Sequence, residues 1–418
     1  MNDYFNKYRE YKPLINRKPD NDLGLVVVIP SYNEPNLEQS LQSILNCYLP
    51  DCSVEIITVI NYPINSPVEV IENANYCIEK VIEIEKFASN PRLTFHYILA
   101  SDLPKKQAGV GLARKIGLDE AAWRLYGVNN PKGVIACYDA DSNCMQNYLV
   151  ELEKLWKNFP KTQACSIRYE HPTEGKEFDE RIYQGITLYE LHLRYYNQAG
   201  RYIKFPFAYH TVGSSMACCA ESYLKFGGMN SHQAGEDFYF LQKIIPHGNF
   251  RELNSTCVFP SPRPSYRVPF GTGRAMSKYL QDSNELILTY DFNSFLTLIP
   301  LFESIDFLYS SENQKIIDWS QRLHPALCEY LTSNSFIKKI VEIKLNTTTL
   351  ESFRKRFYFW FDAFMLLKYL NFAHENHFKR KPVAGEAIAL ANKIGIEFSP
   401  NPSPIDILKA YRKRELDF

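Results

Sequence analysis

From Leu23 to about Phe259 the chain alternates short β-branched apolar runs with longer amphipathic stretches. That alternation is the pattern of βαβ units, and it restricts this part of the molecule to an α/β fold with a mainly parallel sheet. LGLVVVIP (Leu23 to Pro30) reads as a buried first strand, VEIITVIN (Val54 to Asn61) as a second, Leu93 to Ala100 as a third, and GVIACYD (Gly133 to Asp139) as a fourth. Thr162 to Tyr169 suits a fifth. Leu37, Leu41, Ile44 and Leu45 keep helical spacing after Pro35 and Asn36, Val68 to Phe87 is compatible with a long helix, and Val110 to Leu125 predicts another.

After Pro260 the character changes. SPRPSYRVPFGTGRA (residues 261–275) is rich in Pro, Gly, Ser and Arg, so it reads as a long functional loop or a linker. Beyond Met276 the spacing is helical, and the aromatic stretch from Phe353 to Phe372 predicts a helix packed on a core, since Lys, Arg and Asp interrupt it. The expected organisation is an extension over residues 1–22, an α/β domain over 23–275, and a helical subdomain over 276–418.

Four places carry chemistry. At the end of the first strand, Pro30 is followed by Ser31, Tyr32, Asn33 and Glu34; in an open α/β sheet, ligands bind beyond the carboxyl ends of strands. After the fourth strand, Asp139 and Asp141 flank Ala140. Alternation sends both carboxylates to one side, where they repel unless a cation sits between them, and Mg²⁺ or Mn²⁺ takes such oxygen ligands together with substrate phosphates. Gly109 and Gly111 precede a helix bearing Arg114 and Lys115, an arrangement that could face an anion. A Rossmann reading fails, because Arg114 stands where the third glycine is needed. Finally, HTVGSSMACCAESYLKFGGMN leads to HQAGEDFYFLQKI, where Glu236 and Asp237 open a helix. Such acids either offset the helix dipole or supply a carboxylate base on a rigid element.

These motifs, in this order, resemble glycosyltransferase family 2, whose members have the GT-A nucleotide-diphospho-sugar transferase fold with a Rossmann-like sheet. The resemblance covers roughly Leu23 to Phe259. It implies that Pro30, Ser31, Tyr32 and Glu34 lie against the nucleotide, that Asp139 contacts ribose or metal, that Asp141 binds a divalent cation (Mn²⁺ or Mg²⁺) bridging the donor diphosphate, and that Asp237 is the catalytic base of an inverting transfer, with Glu236 its competitor. Helix placement favours an ionised Asp237. Asn61 stands where family members often carry an Asp that bonds the nucleobase, and an amide can still pair with a base edge. No QxxRW is present; in its place stands the loop with Arg263, Arg267 and Arg274, suited to closing on a diphosphate. His210, His232 and His247 lie near the expected site in sequence but have no ligand spacing, and His374 and His377 read as surface residues.

The implied activity is a glycosyl, most simply hexosyl, transfer from a nucleotide-diphosphate sugar to an unidentified hydroxyl acceptor. Two other classes compete. A sugar-phosphate nucleotidyltransferase would need a glycine-rich basic loop after the first strand, where SYNEPN stands. A non-catalytic nucleotide-sugar-binding protein would have no need of Asp237. Lys plus Arg and Asp plus Glu both total 47, which removes the whole-chain electrostatic argument for nucleic acid as a partner. The ten cysteines show no CxxC pair and suit reduced thiols in a cytoplasmic protein. No apolar run reaches the ~18 residues of a spanning helix, and the opening residues have no apolar run typical of a secretory signal, so the expectation is a protein without a transmembrane segment, compatible with peripheral membrane contact.

Overall fold

The computed structural model describes residues 4–5, 13–104, 109–230, 235–265, 271–281 and 286–417. The chain folds into two compact units: residues up to 186 with 211–278, and residues 187–210 with 279–417. The second unit therefore claims residues 187–210 as well as the helical region read from the sequence.

The first unit is built on an eight-stranded sheet of order β3-β2-β1-β4-β7-β6-β8-β5. Its strands are β1 (Leu23–Ser31), β2 (Ser53–Pro63), β3 (Leu93–Leu103), β4 (Val134–Cys137), β5 (Asn143–Cys144), β6 (Ala164–Tyr169), β7 (Met216–Cys219) and β8 (Phe250–Phe259). β1 to β4 are mutually parallel, β7 runs antiparallel between β4 and β6, and β6 pairs parallel with β8. The arrangement is a Rossmann-like α/β sheet with the parallel half first in sequence, as the alternation predicts. Val26, Val27, Val28 and Ile29 have no exposed surface, which explains why β1 reads as a continuous apolar run: a parallel strand is covered on both faces.

The crossover helices are α1 (Leu37–Leu45), α2 (Val68–Phe87) and α3 (Val110–Gly127), followed by α4 (Tyr148–Asn158), α5 (Glu180–Tyr202), α6 (Ala220–Lys225), α7 (Glu236–Ile244) and α8 (Thr272–Gln281). α3 lies very close to the sheet at Gly117, where a Cβ would meet Val28 and stand 2.9 Å from Val59. Tyr4 and Phe5 are buried: Phe5 packs edge-on against Trp123, and the Tyr4 hydroxyl donates to Asp119 at 2.8 Å.

Three predictions need correction here. The Pro/Gly-rich segment is not irregular throughout, because α8 begins at Thr272. The aromatic stretch from Phe353 to Phe372 is two helices, Leu350–Trp360 and Ala363–Asn376, because the Asp362 carboxylate accepts the Met365 N–H and caps the second. In the second unit this pair packs with the helices Pro325–Ser333 and Phe336–Leu345 around buried Phe353, Phe357 and Phe361. His374 is not a surface residue: its Nε2 accepts the Asp291 N–H at 2.8 Å. Among the described residues, no helix is long and apolar enough to cross a membrane.

Candidate active site

The carboxyl ends of β1 and β4 bring the first two motifs together. β1 pairs with β2 through Ser31, but with β4 only as far as Val28 opposite Cys137. Past that point β1 has a strand on one side only, which tolerates Pro30 and its missing N–H. Ser31 and Asn61 are buried and Tyr32 is half-buried. Asn33 takes φ 46°, a left-handed turn that carries the chain into α1. Behind this turn Glu34 is buried, and its carboxylate accepts two hydrogen bonds from Arg263, at 2.9 and 2.6 Å, and the Asn36 N–H at 3.2 Å.

β4 ends at Cys137, so Asp139 and Asp141 lie on a turn and strand alternation does not govern them. Each carboxylate faces its own arginine. Arg114 Nη2 donates to Asp139 Oδ1 at 2.6 Å, and Arg263 Nη2 reaches Asp141 Oδ2 at 3.2 Å. The repulsion expected between the two acids is thus relieved by guanidinium groups.

Arg114 is the centre of the site. Its side chain is buried on the second turn of α3, and Nη1 donates to Glu236 Oε1 at the start of α7. Both terminal nitrogens of Arg114 are turned to carboxylates of the chain itself. Gly109 is the extended N-cap residue of α3 and Gly111 is in its first turn. The remainder of the glycine-rich approach, residues 105–108, lies outside the described residues.

Asp237 is half-buried beside Glu236, with Oδ1 accepting its neighbour's Phe238 N–H at 2.7 Å. Burial, and next the charge of Glu236, push its carboxyl up to about 7, against the opposing pull of Arg114. This corrects the expectation that the helix start keeps Asp237 ionised: one guanidinium is shared between Asp139 and Glu236, and the third acid is left half-buried with too little positive charge. Glu236, buried and engaged by Arg114, is poorly placed to compete as a base.

Sequence reasoning missed Gly213. A Cβ there would lie 2.8 Å from Arg114 Nη1 and 2.9 Å from Asp237 Oδ2, so glycine lets the backbone pass over both without displacing either side chain. The signal was the glycine of HTVGSSM, whose neighbours gave no hint of what it would approach.

The remaining expected residues scatter. Arg274 lies exposed on α8, and Arg267 and His232 lie outside the described residues. His247 packs against Phe226, and His210 belongs to the second unit, 3.0 Å from Glu415. Among the described residues no three His, Cys, Asp or Glu side chains converge as a metal cage. The donor set still suits a hard divalent cation in one way: Mg²⁺ is commonly held by one or two carboxylates plus substrate phosphates, and Asp141, with Asp139, offers that much. Such a cation would compete with Arg263 for Asp141.

No protein-family model matches the chain, and no curated protein matches it by sequence. Among solved structures, Staphylococcus aureus TarS 1–349 is similar at 11% identity and a TM-score of 0.36, covering 81% of this chain and 91% of that one. Its complex with UDP-GlcNAc is similar at 13% identity and a TM-score of 0.37, covering 94% and 88%.

Proposed function

We propose that this chain is a GT-A-type nucleotide-sugar glycosyltransferase, akin to family 2, that transfers a sugar to a hydroxyl acceptor with inversion. The observation that carries the reading is Asp237: a half-buried carboxyl at a rigid helix start, pushed up to about 7 and joined through Arg114 and Glu236 to the acid turn at the sheet's ligand-binding edge. A group with that proton affinity accepts a proton near neutral pH and is poised for general-base work.

In this reading Pro30, Ser31, Tyr32, Glu34 and Asn61 border the nucleotide, and Asp141 assisted by Asp139 holds Mn²⁺ or Mg²⁺. When bound, the cation neutralises charge on the leaving diphosphate. Asp237 takes the acceptor hydroxyl proton as the oxygen bonds to the anomeric carbon, and the electron pair of the breaking bond leaves with the diphosphate. Arg114 holds Asp139 and Glu236 in place throughout. Ten free thiols favour a reducing, cytoplasmic setting.

A thermal-shift panel of UDP-, GDP-, ADP- and dTDP-sugars, each with and without Mn²⁺, tests the donor and metal together, since a ligand of the native state raises stability by mass action. One nucleotide sugar should raise Tm only with the cation, and Asp141→Asn should abolish that shift. A full shift in the variant or in EDTA would overturn the metal assignment; no shift with any donor would overturn the reading itself.

A further inference from the structure

Ten cysteines are free, and Cys137, Cys165, Cys218, Cys219 and Cys257 are sealed in the sheet. Cys218 and Cys219 are adjacent in sequence but successive on a strand, so their side chains leave opposite faces. Cys47 and Cys144 differ. Their sulfurs lie 3.6 Å apart although 97 residues separate them.

The pair sits directly behind the acid turn. Cys47 is two residues past α1, and Cys144 is on β5, three residues after Asp141. The intervening turn is fastened to α1: the Ser142 carbonyl accepts from Ser40 Oγ at 2.7 Å and from the Tyr138 hydroxyl at 2.9 Å, and the Cys144 N–H donates to Ser43 Oγ at 2.9 Å. Cys144 is half-buried and Cys47 nearly enclosed. Hydrogen bonding from Cys47, together with Ser43 and Tyr138, draws the Cys144 thiol down, while Cys144 and burial drive Cys47 up. Cys144, the more exposed of the two residues, is assigned the attack, and Cys47 the resolving step.

We propose that Cys47 and Cys144 form a reversible oxidation site that closes to a disulfide and pulls on the turn carrying Asp139 and Asp141. The oxidant is a low-molecular-weight disulfide. The Cys144 thiolate attacks one of its sulfurs and expels one thiolate; the Cys47 sulfur, losing its proton, then attacks the Cys144 sulfur of the mixed disulfide and expels the second. Two protein thiols are oxidised, and one small disulfide becomes two small thiols. Closure draws the sulfurs from 3.6 Å to about 2.05 Å. Where α1 or β5 moves in closing that gap, the Ser40 and Ser43 hydrogen bonds pass the movement to the turn. The inference does not depend on the sugar-transfer reading.

The test equilibrates the full-length native protein with oxidised and reduced glutathione at graded ratios, followed by acid quenching, alkylation and peptide mapping. The expected result is loss of two alkylatable thiols and a Cys47–Cys144 cross-linked peptide, reversed by a dithiol reductant. Cys47→Ser should stop at a glutathione adduct on Cys144, and Cys144→Ser should leave Cys47 unmodified. Both thiols remaining alkylatable at the most oxidising ratio, or a link to another cysteine, would overturn the site. Hydrogen exchange over residues 138–145 should differ between the reduced and cross-linked forms; identical exchange would overturn the coupling to the acid turn.

Discussion

At Arg114 a single buried guanidinium serves two carboxylates, and the consequence falls on a third. Asp237 keeps its proton up to about 7 because burial and Glu236 outweigh Arg114. Since this folded-state value lies above the ordinary aspartate value, the native state binds more protons than the unfolded chain between about pH 4 and 7. Asp237 therefore withdraws stability as pH rises through that window. Asp237→Asn should remove this decline, which denaturant unfolding from pH 4 to 8 would reveal as a flatter profile than wild type. The same variant should keep donor binding and lose roughly 10²-fold or more in turnover once an acceptor is found. Glu236→Gln should move the wild-type decline to lower pH, since it removes the neighbouring charge that raises Asp237; an unmoved profile would show that Glu236 does not raise it.

Elements meet at two glycines whose replacement has different expected effects. Gly117 lets α3 settle onto Val28 and Val59. Gly117→Val should overpack that contact and lower stability by about 1–3 kcal/mol in equilibrium unfolding, because the sheet beneath is covered and cannot yield. Gly213 lets the segment before β7 pass over Arg114 and Asp237. Gly213→Ala should leave the global unfolding midpoint near wild type yet shift the titration of Asp237, read by carboxyl NMR, as the added methyl displaces the guanidinium or the carboxylate. An unshifted Asp237 would show that the backbone has room to retreat.

Across the second unit, a buried ionic network joins distant parts of the chain. Arg194 on α5 donates to Glu190 at 2.8 Å and to Glu415, while Arg412 donates twice to Glu190, at 2.8 Å each. His210 and Gln198 also reach Glu415. Arg194 and then His210 hold the Glu415 carboxyl down to about 2 against the cost of burial. The folded value lies below the unfolded one, so this stabilisation is present above about pH 4.5 and is lost as pH falls toward 2. Glu415→Gln should cost about 3 kcal/mol or more near neutral pH, since it leaves Glu190 as the carboxylate shared by two guanidinium groups, Arg194 and Arg412. Calorimetry should also show a weaker acid dependence than wild type; equal acid sensitivity would mean that other carboxylates dominate.

Period and composition sufficed for β1, β2, β3 and the helix α2, because strands covered on both faces read as unbroken apolar runs and α2 keeps a 3.6-residue stripe of Val70, Ala74, Cys77, Val81 and Ile84. α5 was not legible in the same way. Its buried face includes Glu190, Arg194, Asn197 and Gln198 among Ile186, Leu191, Tyr195 and Ala199, so the stripe is interrupted by polar residues whose partners lie up to 222 residues away. In the site, residue types marked where acids and arginines stood, but not which would pair. Arg114 and Arg263 resembled anion-binding groups, and each is turned to carboxylates that the fold delivers from β1, β4 and α7. Charge partners, the displacement of Asp237 toward neutrality, and the meeting of Cys47 with Cys144 are set by through-space distance, and only tertiary structure determines that.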